Sequence, residues 1–155
     1  KCDELTYFHD EVGYNYRLVN VLAAIGVAQL EQLDEFVHAK RSIAQYYRKA
    51  LSGVGDIGFQ FIADNVRSNE WLFTITTESM PELLGYLNNK KIISRPFWTP
   101  MNQLPMYKNC KYVSHDNVSD KVHKRALVIP CSTGIKQDEL HMVKEVICGF
   151  YDSSY

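Results

Sequence analysis

From Leu18 to Leu51 apolar side chains recur near the helical interval: Leu18, Val21, Leu22, Ile25, Ala28, Leu33, Phe36, Val37, Ile43, Ala44, Tyr47 and Leu51. No proline interrupts them, so the spacing predicts helix throughout. Asn20 is the expected N-cap, because its side-chain oxygen can accept from a backbone N–H two or three residues on. Unbroken, such a helix would reach about 45 Å, a length that usually bridges domains or subunits. Gly26 costs roughly 1 kcal/mol against alanine there. A close approach of another backbone would justify it, and so would simple tolerance.

The pattern then shortens. Ser52 to Gly58 reads as a loop. Trp71 to Thr76 alternates and is aromatic and β-branched, which predicts a strand. Ser79-Met80-Pro81-Glu82 has the form of a capping box before a short helix that buries Leu83, Leu84 and Leu87. Ile92 to Ser94 is expected to be a second strand, and Arg95 to Tyr107, with Pro96, Pro100 and Pro105, a loop. A short helix is expected over Ser119 to Arg125, then a strand at Ala126 to Ile129 that Pro130 stops. The last element is a helix from Gln137 to Phe150, with Leu140, Val143, Val146, Ile147 and Phe150 on its apolar face and Asp138 and Glu139 suited to its first turn. The sum is an α/β layer of three short strands and their helices, hung from one long helix. Residues 1–51 are read as an interface segment and bridging helix, and 52–155 as a small α/β domain.

Composition narrows the function. Lys and Arg (17) nearly balance Asp and Glu (18), so no global field favours nucleic acid or an anionic membrane. No apolar run approaches the roughly 20 residues of a membrane span, and the first residues lack the apolar core of a signal peptide. The four cysteines are scattered without a C-x-x-C pair, and the five histidines form no zinc spacing, so reduced thiols and no structural metal are expected. The chain starts without Met, which suggests a piece of something longer or a processed product.

Two segments carry candidate chemistry. In Gly13-Tyr14-Asn15-Tyr16-Arg17 the glycine permits a turn. In an extended segment Asn15 and Arg17 share one face, while Tyr14 and Tyr16 point the other way toward packing. Asn15 and Arg17 could together meet an anion, or simply brace the turn. The loop from Arg95 to Tyr107 is the second candidate, with a cation at Arg95, an aromatic ring at Trp98 and an amide at Asn102. The other reading of that loop is a packed surface segment anchored by its aromatics.

Gly13-Tyr14-Asn15-Tyr16-Arg17, followed by Ala23-Ala24, Gly26 and Gln29-Leu30, resembles the DegT/DnrJ/StrS family of sugar aminotransferases. The likeness continues through Arg41, Tyr46-Tyr47, Trp71-Leu72, Pro100, Pro105-Met106-Tyr107 and Ile129-Pro130-Cys131. It implies the C-terminal small domain of the aspartate-aminotransferase fold (fold type I), and pyridoxal 5'-phosphate (PLP) as cofactor. The activity implied is amination of a nucleotide-linked keto-sugar, a 4-keto-6-deoxy sugar by the wording of the loop, with glutamate as donor. A cytoplasmic homodimer serving polysaccharide biosynthesis is the implied setting. The resemblance gives Asn15 the cofactor phosphate of the other subunit, with Arg17 beside it or bracing the turn. It puts Arg95, Trp98 and Asn102 at the sugar nucleotide. Many members carry His where Asn102 stands, so a proton donor is lost at that position.

The family's catalytic lysine, its acid partner and its phosphate cup have no counterpart among these 155 residues. No catalytic residue is therefore assigned, and the chain alone is expected to be inert and not to bind PLP covalently. Two alternatives stay open: a dehydratase of the same family, in which histidine replaces that lysine, and a non-catalytic interaction or dimerisation module.

Overall fold

The computed structural model describes residue 14 and residues 16–153, which fall in two compact units, 1–34 and 35–155. In the first unit Tyr14 and residues 16–19 form no regular element, Val19 is extended, and α1 follows as Asn20–Glu31. Val19, not Asn20, is the N-cap, and no side chain caps this end. None of the residues of α1 is buried. Its apolar residues point in every direction, Val21, Leu22, Ile25, Val27 and Leu30 all being exposed. Among the described residues nothing approaches a Cβ placed on Gly26, so the close contact that would have explained this glycine is not seen.

The single long helix expected from the periodicity is interrupted at Gln32. In an unbroken helix the Gln32 N–H would bond the Ala28 carbonyl. Here the Gln32 side-chain amide donates to that carbonyl at 3.0 Å, and the backbone N–H turns to Gln29 O at 3.3 Å. A side chain competing for its own helical acceptor ends the ladder. The second helix, α2, runs Leu33–Ala50 and is amphipathic in the ordinary way: Ile43, Ala44 and Tyr47 are buried, and Leu51 follows on the same face.

The second unit is a four-stranded antiparallel sheet with helices against it. In chain order come β1 (Gly58–Phe59), β2 (Phe73–Thr76), α3 (Met80–Asn89), β3 (Arg95–Pro96), α4 (Val118–Arg125), β4 (Ala126–Ile129) and α5 (Gln137–Asp152). The strand order is β1-β2-β4-β3. The two central strands pair from Phe73 with Ile129 to Thr76 with Ala126. Phe73 and Ile75 of β2 are buried and alternate with half-buried Thr74 and Thr76, so one face of the sheet meets the core. That core joins Tyr47 and Leu51 of the α2 face, Leu83 and Leu87 of α3, and Leu140, Val143 and Ile147 of α5. The Tyr47 hydroxyl reaches out of it to donate to Pro130 O at 2.9 Å, and burial pushes its pKa far up, keeping the phenol neutral.

β4 and α5 begin where the sequence pattern puts them. Ile92 to Ser94, expected as a strand, is not one. Ile92 N–H bonds Leu87 O at 3.0 Å and Ser94 N–H bonds Asn88 Oδ1 at 2.9 Å, so the segment closes the end of α3 before joining the sheet. The ladder starts one residue later, with Arg95 opposite Val128 and Pro96 opposite Leu127. Proline is tolerated there because β3 lies on the edge. β1 was not expected at all; it lies within and just beyond a segment read as loop.

Ser79 does not cap α3 with its side chain. The backbone ahead of that helix is satisfied from elsewhere: Glu78 N–H donates to Asp56 Oδ2 at 2.7 Å, and Ser79 N–H to Thr77 Oγ1 at 3.1 Å. The Thr77 hydroxyl bonds Asp56 in turn, and the Tyr151 hydroxyl lies 2.7 Å from Thr77 Oγ1 and 3.1 Å from Asp56 Oδ1. Burial alone would raise the Asp56 pKa, but these hydrogen bonds outweigh it and hold the carboxyl below its usual range. Tyr151 is pushed up to about 12, by burial first and by the carboxylate beside it. Gly55 sits under this ring with φ +52°, where any Cβ would run into Tyr151. Asp56 thus ties the loop after α2 to the start of α3 and the end of α5.

Candidate functional site

The loop after β3 is built by its anchors. Phe97 N–H extends the ladder to Ala126 O at 3.0 Å, and His123 Nδ1 of α4 holds Phe97 O at 2.9 Å. Trp98, the next residue, is 60% exposed, yet its ring is not loose: it stacks on Trp71 at 5.8 Å and 23° and meets Phe97 edge-on at 5.1 Å. Pro100 then starts a 3-10 turn, Met101–Gln103, and a second follows at Pro105–Tyr107. Gln103 Nε2 donates to Asp120 Oδ1 at 2.7 Å, which docks the first turn on α4. Between loop and helix lies a cavity of about 510 Å³ whose walls include Phe97, Trp98, Pro100, Asn102, Tyr112 and Val122. Most of its lining is carbon, and Asn102, half-buried, offers an amide to it. Such a site suits a ligand with a flat or weakly polar ring and a few hydroxyls.

Trp98 and Asn102 therefore come together. Arg95 does not join them. It lines a separate cavity of about 280 Å³ with Lys40, Leu72, Ile93, Val128, Pro130, Cys131 and Ser132. Lys40 extends from α2 to donate to Trp71 O at 2.8 Å and Cys131 O at 2.6 Å, with Cys131 Sγ at 3.5 Å. Cys131 is itself buried, and its sulfur accepts from Phe73 N–H at 3.3 Å. Sequence reasoning attached no role to Lys40. Its signal was positional: it precedes Ile43 by three residues and Tyr47 by seven, so a cation sits on the buried stripe of α2. His123 and Tyr112 were also missed, and nothing in their spacing marks them.

Of the first motif, Asn15 and Gly13 lie outside the described residues. Arg17 lies just ahead of α1 and is exposed. Tyr14 and Tyr16 do not turn into a core. They are 76% and 88% exposed and stack on each other at 5.9 Å and 22°. Free thiols are found at Cys110, Cys131 and Cys148. Among the described residues no group of acids, histidines and cysteines is placed to hold a metal, and no helix is long and apolar enough to cross a membrane.

The comparisons with known proteins agree with this picture. A family model matches residues 2–148, and the chain belongs to the DegT/DnrJ/EryC1/StrS aminotransferase family. The GDP-perosamine synthase of Escherichia coli O157:H7 is 34% identical over 148 residues, 94% of this chain and 40% of that protein. The GDP-perosamine synthase of Vibrio cholerae is 34% identical over 151 residues, 94% of this chain and 41% of that one. The chain thus spans about two fifths of the length of these relatives. Among solved structures, DesV of S. venezuelae superposes with a TM-score of 0.83 at 22% identity, over 97% of this chain and 41% of DesV. The α/β fold expected from the resemblance, that of the small domain of fold type I aminotransferases, is the fold observed.

Proposed function

We propose that this chain is the small-domain part of a PLP-dependent aminotransferase that moves an amino group from glutamate to a keto group of a nucleotide-linked sugar, a 4-keto-6-deoxy sugar in our reading. The observation that carries the proposal is the family match from residue 2 to 148, which takes in both the first motif and the loop after β3. The cavity beside that loop supports it, since one aromatic wall and one amide are what a sugar or base needs. Trp98 would stack on the ring, and Asn102 would bond a hydroxyl or phosphate oxygen without supplying a proton.

The cofactor fits this chain only in part. When bound it supplies the electron sink for amino transfer. Asn15 and Arg17 are donors suited to its phosphate, and in this reading they reach it across the interface of a homodimer. Two of the described lysines are held by other groups: the half-buried Lys40 by two backbone carbonyls, and Lys144 by Glu145 at 2.6 Å, and in this reading none of this chain's lysines forms the Schiff base. That lysine would come from the rest of the enzyme, and we place the whole in the cytoplasm, in the synthesis of a surface polysaccharide.

The test is to incubate the full-length gene product with PLP, glutamate and GDP-, UDP- or dTDP-linked 4-keto-6-deoxy sugars. An amino sugar by mass spectrometry and one reduced pyridoxyl adduct on a lysine outside these residues are expected. A deoxygenated sugar without amination would make the enzyme a dehydratase, and no product with any of the three would end the proposal.

A further inference from the structure

Resting on that reading of the loop after β3, we infer that Asp120 and His123 of α4 are positioning residues that brace this loop as a binding wall, His123 setting the ring of Trp98 and Asp120 the amide of Asn102. α4 buries none of its eight residues, so core packing does not account for its place. Its side chains serve the loop instead. Val118, Ser119 and Val122 line the cavity of about 510 Å³. Asp120 and His123, three residues apart and so on one face of the helix, bond the loop at its two ends. Neither of them lines the cavity, so their effect on a ligand passes through the loop.

Each anchor stands next in sequence to one residue of the wall. His123 Nδ1 donates to Phe97 O at 2.9 Å, and that carbonyl belongs to the peptide leading into Trp98, so the bond fixes the point from which the ring projects. Gln103 follows Asn102, and its amide donates at 2.7 Å to the Asp120 carboxylate, a stronger kind of hydrogen bond than one between neutral groups. The turn between the anchors closes on its own backbone, Gln103 N–H to Pro100 O at 2.9 Å and Leu104 N–H to Met101 O at 3.1 Å. Those bonds set its shape but not its place. α4 can set the place because it runs directly into the central strand β4. At that junction Arg125 O accepts from Thr77 N–H and Ala126 O from Phe97 N–H, both at 3.0 Å. The brace is therefore tied to the sheet, the rigid part of the unit, as precise orientation of a binding group requires.

Amide hydrogen exchange of the full-length protein, read by mass spectrometry, and steady-state kinetics with the sugar nucleotide that is aminated test this together. In His123→Leu the amides of residues 97–104 are expected to exchange about tenfold faster while those of β2 and β4 keep their protection. KM for the sugar nucleotide should rise about threefold to tenfold at nearly constant kcat, the range for one hydrogen bond. Asp120→Ala should loosen residues 101–104 and raise the same KM. His123→Asn and Asp120→Asn, which keep a donor and an acceptor in place, should recover most of both effects. Either position decides alone if a variant at the other does not fold. Unchanged exchange in both loss variants would overturn the inference. So would a loosened loop with an unchanged KM, a loss confined to kcat, or faster exchange spread evenly over the sheet, which would make α4 a support of folding only. If the wild-type protein makes no amino sugar, the activity reading falls, and the exchange pattern still decides whether α4 holds the loop.

Discussion

Two helices next to each other in sequence behave as opposites. α2 carries charges along one side and buries Ile43, Ala44 and Tyr47 on the other, so its own unit accounts for it. α1 has no acidic or basic residue before Glu31, exposes apolar side chains all round, and buries none of them. An amphipathic helix is explained by the core it covers, whereas a helix apolar on every side belongs in surroundings that cover it completely. Sequence changes in α2 should therefore be felt as folding stability. Changes in and before α1 should be felt in assembly and cofactor retention.

The largest expected effect is on the α2 side. Tyr47→Ala removes a fully buried ring and its bond to Pro130 O, and should destabilise the chain by about 3–5 kcal/mol in urea unfolding. A cost below 1 kcal/mol would mean that α2 is not part of the cooperative core. Next comes the first unit. Asn15→Ala in the full-length enzyme should weaken PLP retention by about 1.5–3 kcal/mol, read as cofactor dissociation, with the melting temperature of the apoprotein unmoved. An unchanged dissociation constant would remove Asn15 from the phosphate.

The Asp56 cluster gives a smaller and pH-dependent effect. Its carboxyl is held below the ordinary value in the folded chain, so the stabilisation is present above about pH 4 and is lost as pH falls through the lowered value. Tyr151 acts at the other end: its raised pKa stabilises below about pH 10 and stops doing so as pH climbs through about 12. Asp56→Asn should cost about 1 kcal/mol at pH 7, because the site is largely open to solvent, and should flatten the acid limb of the stability curve. An acid limb unchanged by the substitution would show that Thr77 and Tyr151 hold the junction without the charge. Smallest of all, Ile25→Ser on α1 should change unfolding of this chain by less than about 0.5 kcal/mol while reducing its self-association in sedimentation. A cost like that of Tyr47→Ala would erase the contrast between the helices.

Much of this was legible in the chain, and the failures have physical causes. Ala126 to Ile129 reads as a strand because an apolar run meets Pro130, and it is one. The periodicity of α2 and α5 marked their buried faces. What could not be read were choices made by hydrogen-bond competition. The Gln32 amide, the Asn88 amide and the Asp56 carboxylate each take a backbone partner that local pattern assigns elsewhere. β1 exists because Gly58 and Phe59 find Thr76 and Ile75 in space, a pairing that two residues cannot announce. At the site, Trp98 and Asn102 were legible as a pair in one loop. Arg95, in the same loop, went to a different cavity because the strand it opens faces β4. Lys40 was hidden because its partners stand 31 and 91 residues away.

The two strands at the margins of the sheet are each only two residues long, and one of them contains Pro96, which has no N–H to offer. Both longer strands are paired on each side. A sheet built this way presents little backbone for a foreign strand to extend, so it resists templating fibrils during synthesis or after partial unfolding. When chains of this sequence do adhere to one another, the sticky element should be the greasy cylinder of α1, and the deposits should be helical in infrared spectra, without the signature of cross-β stacking.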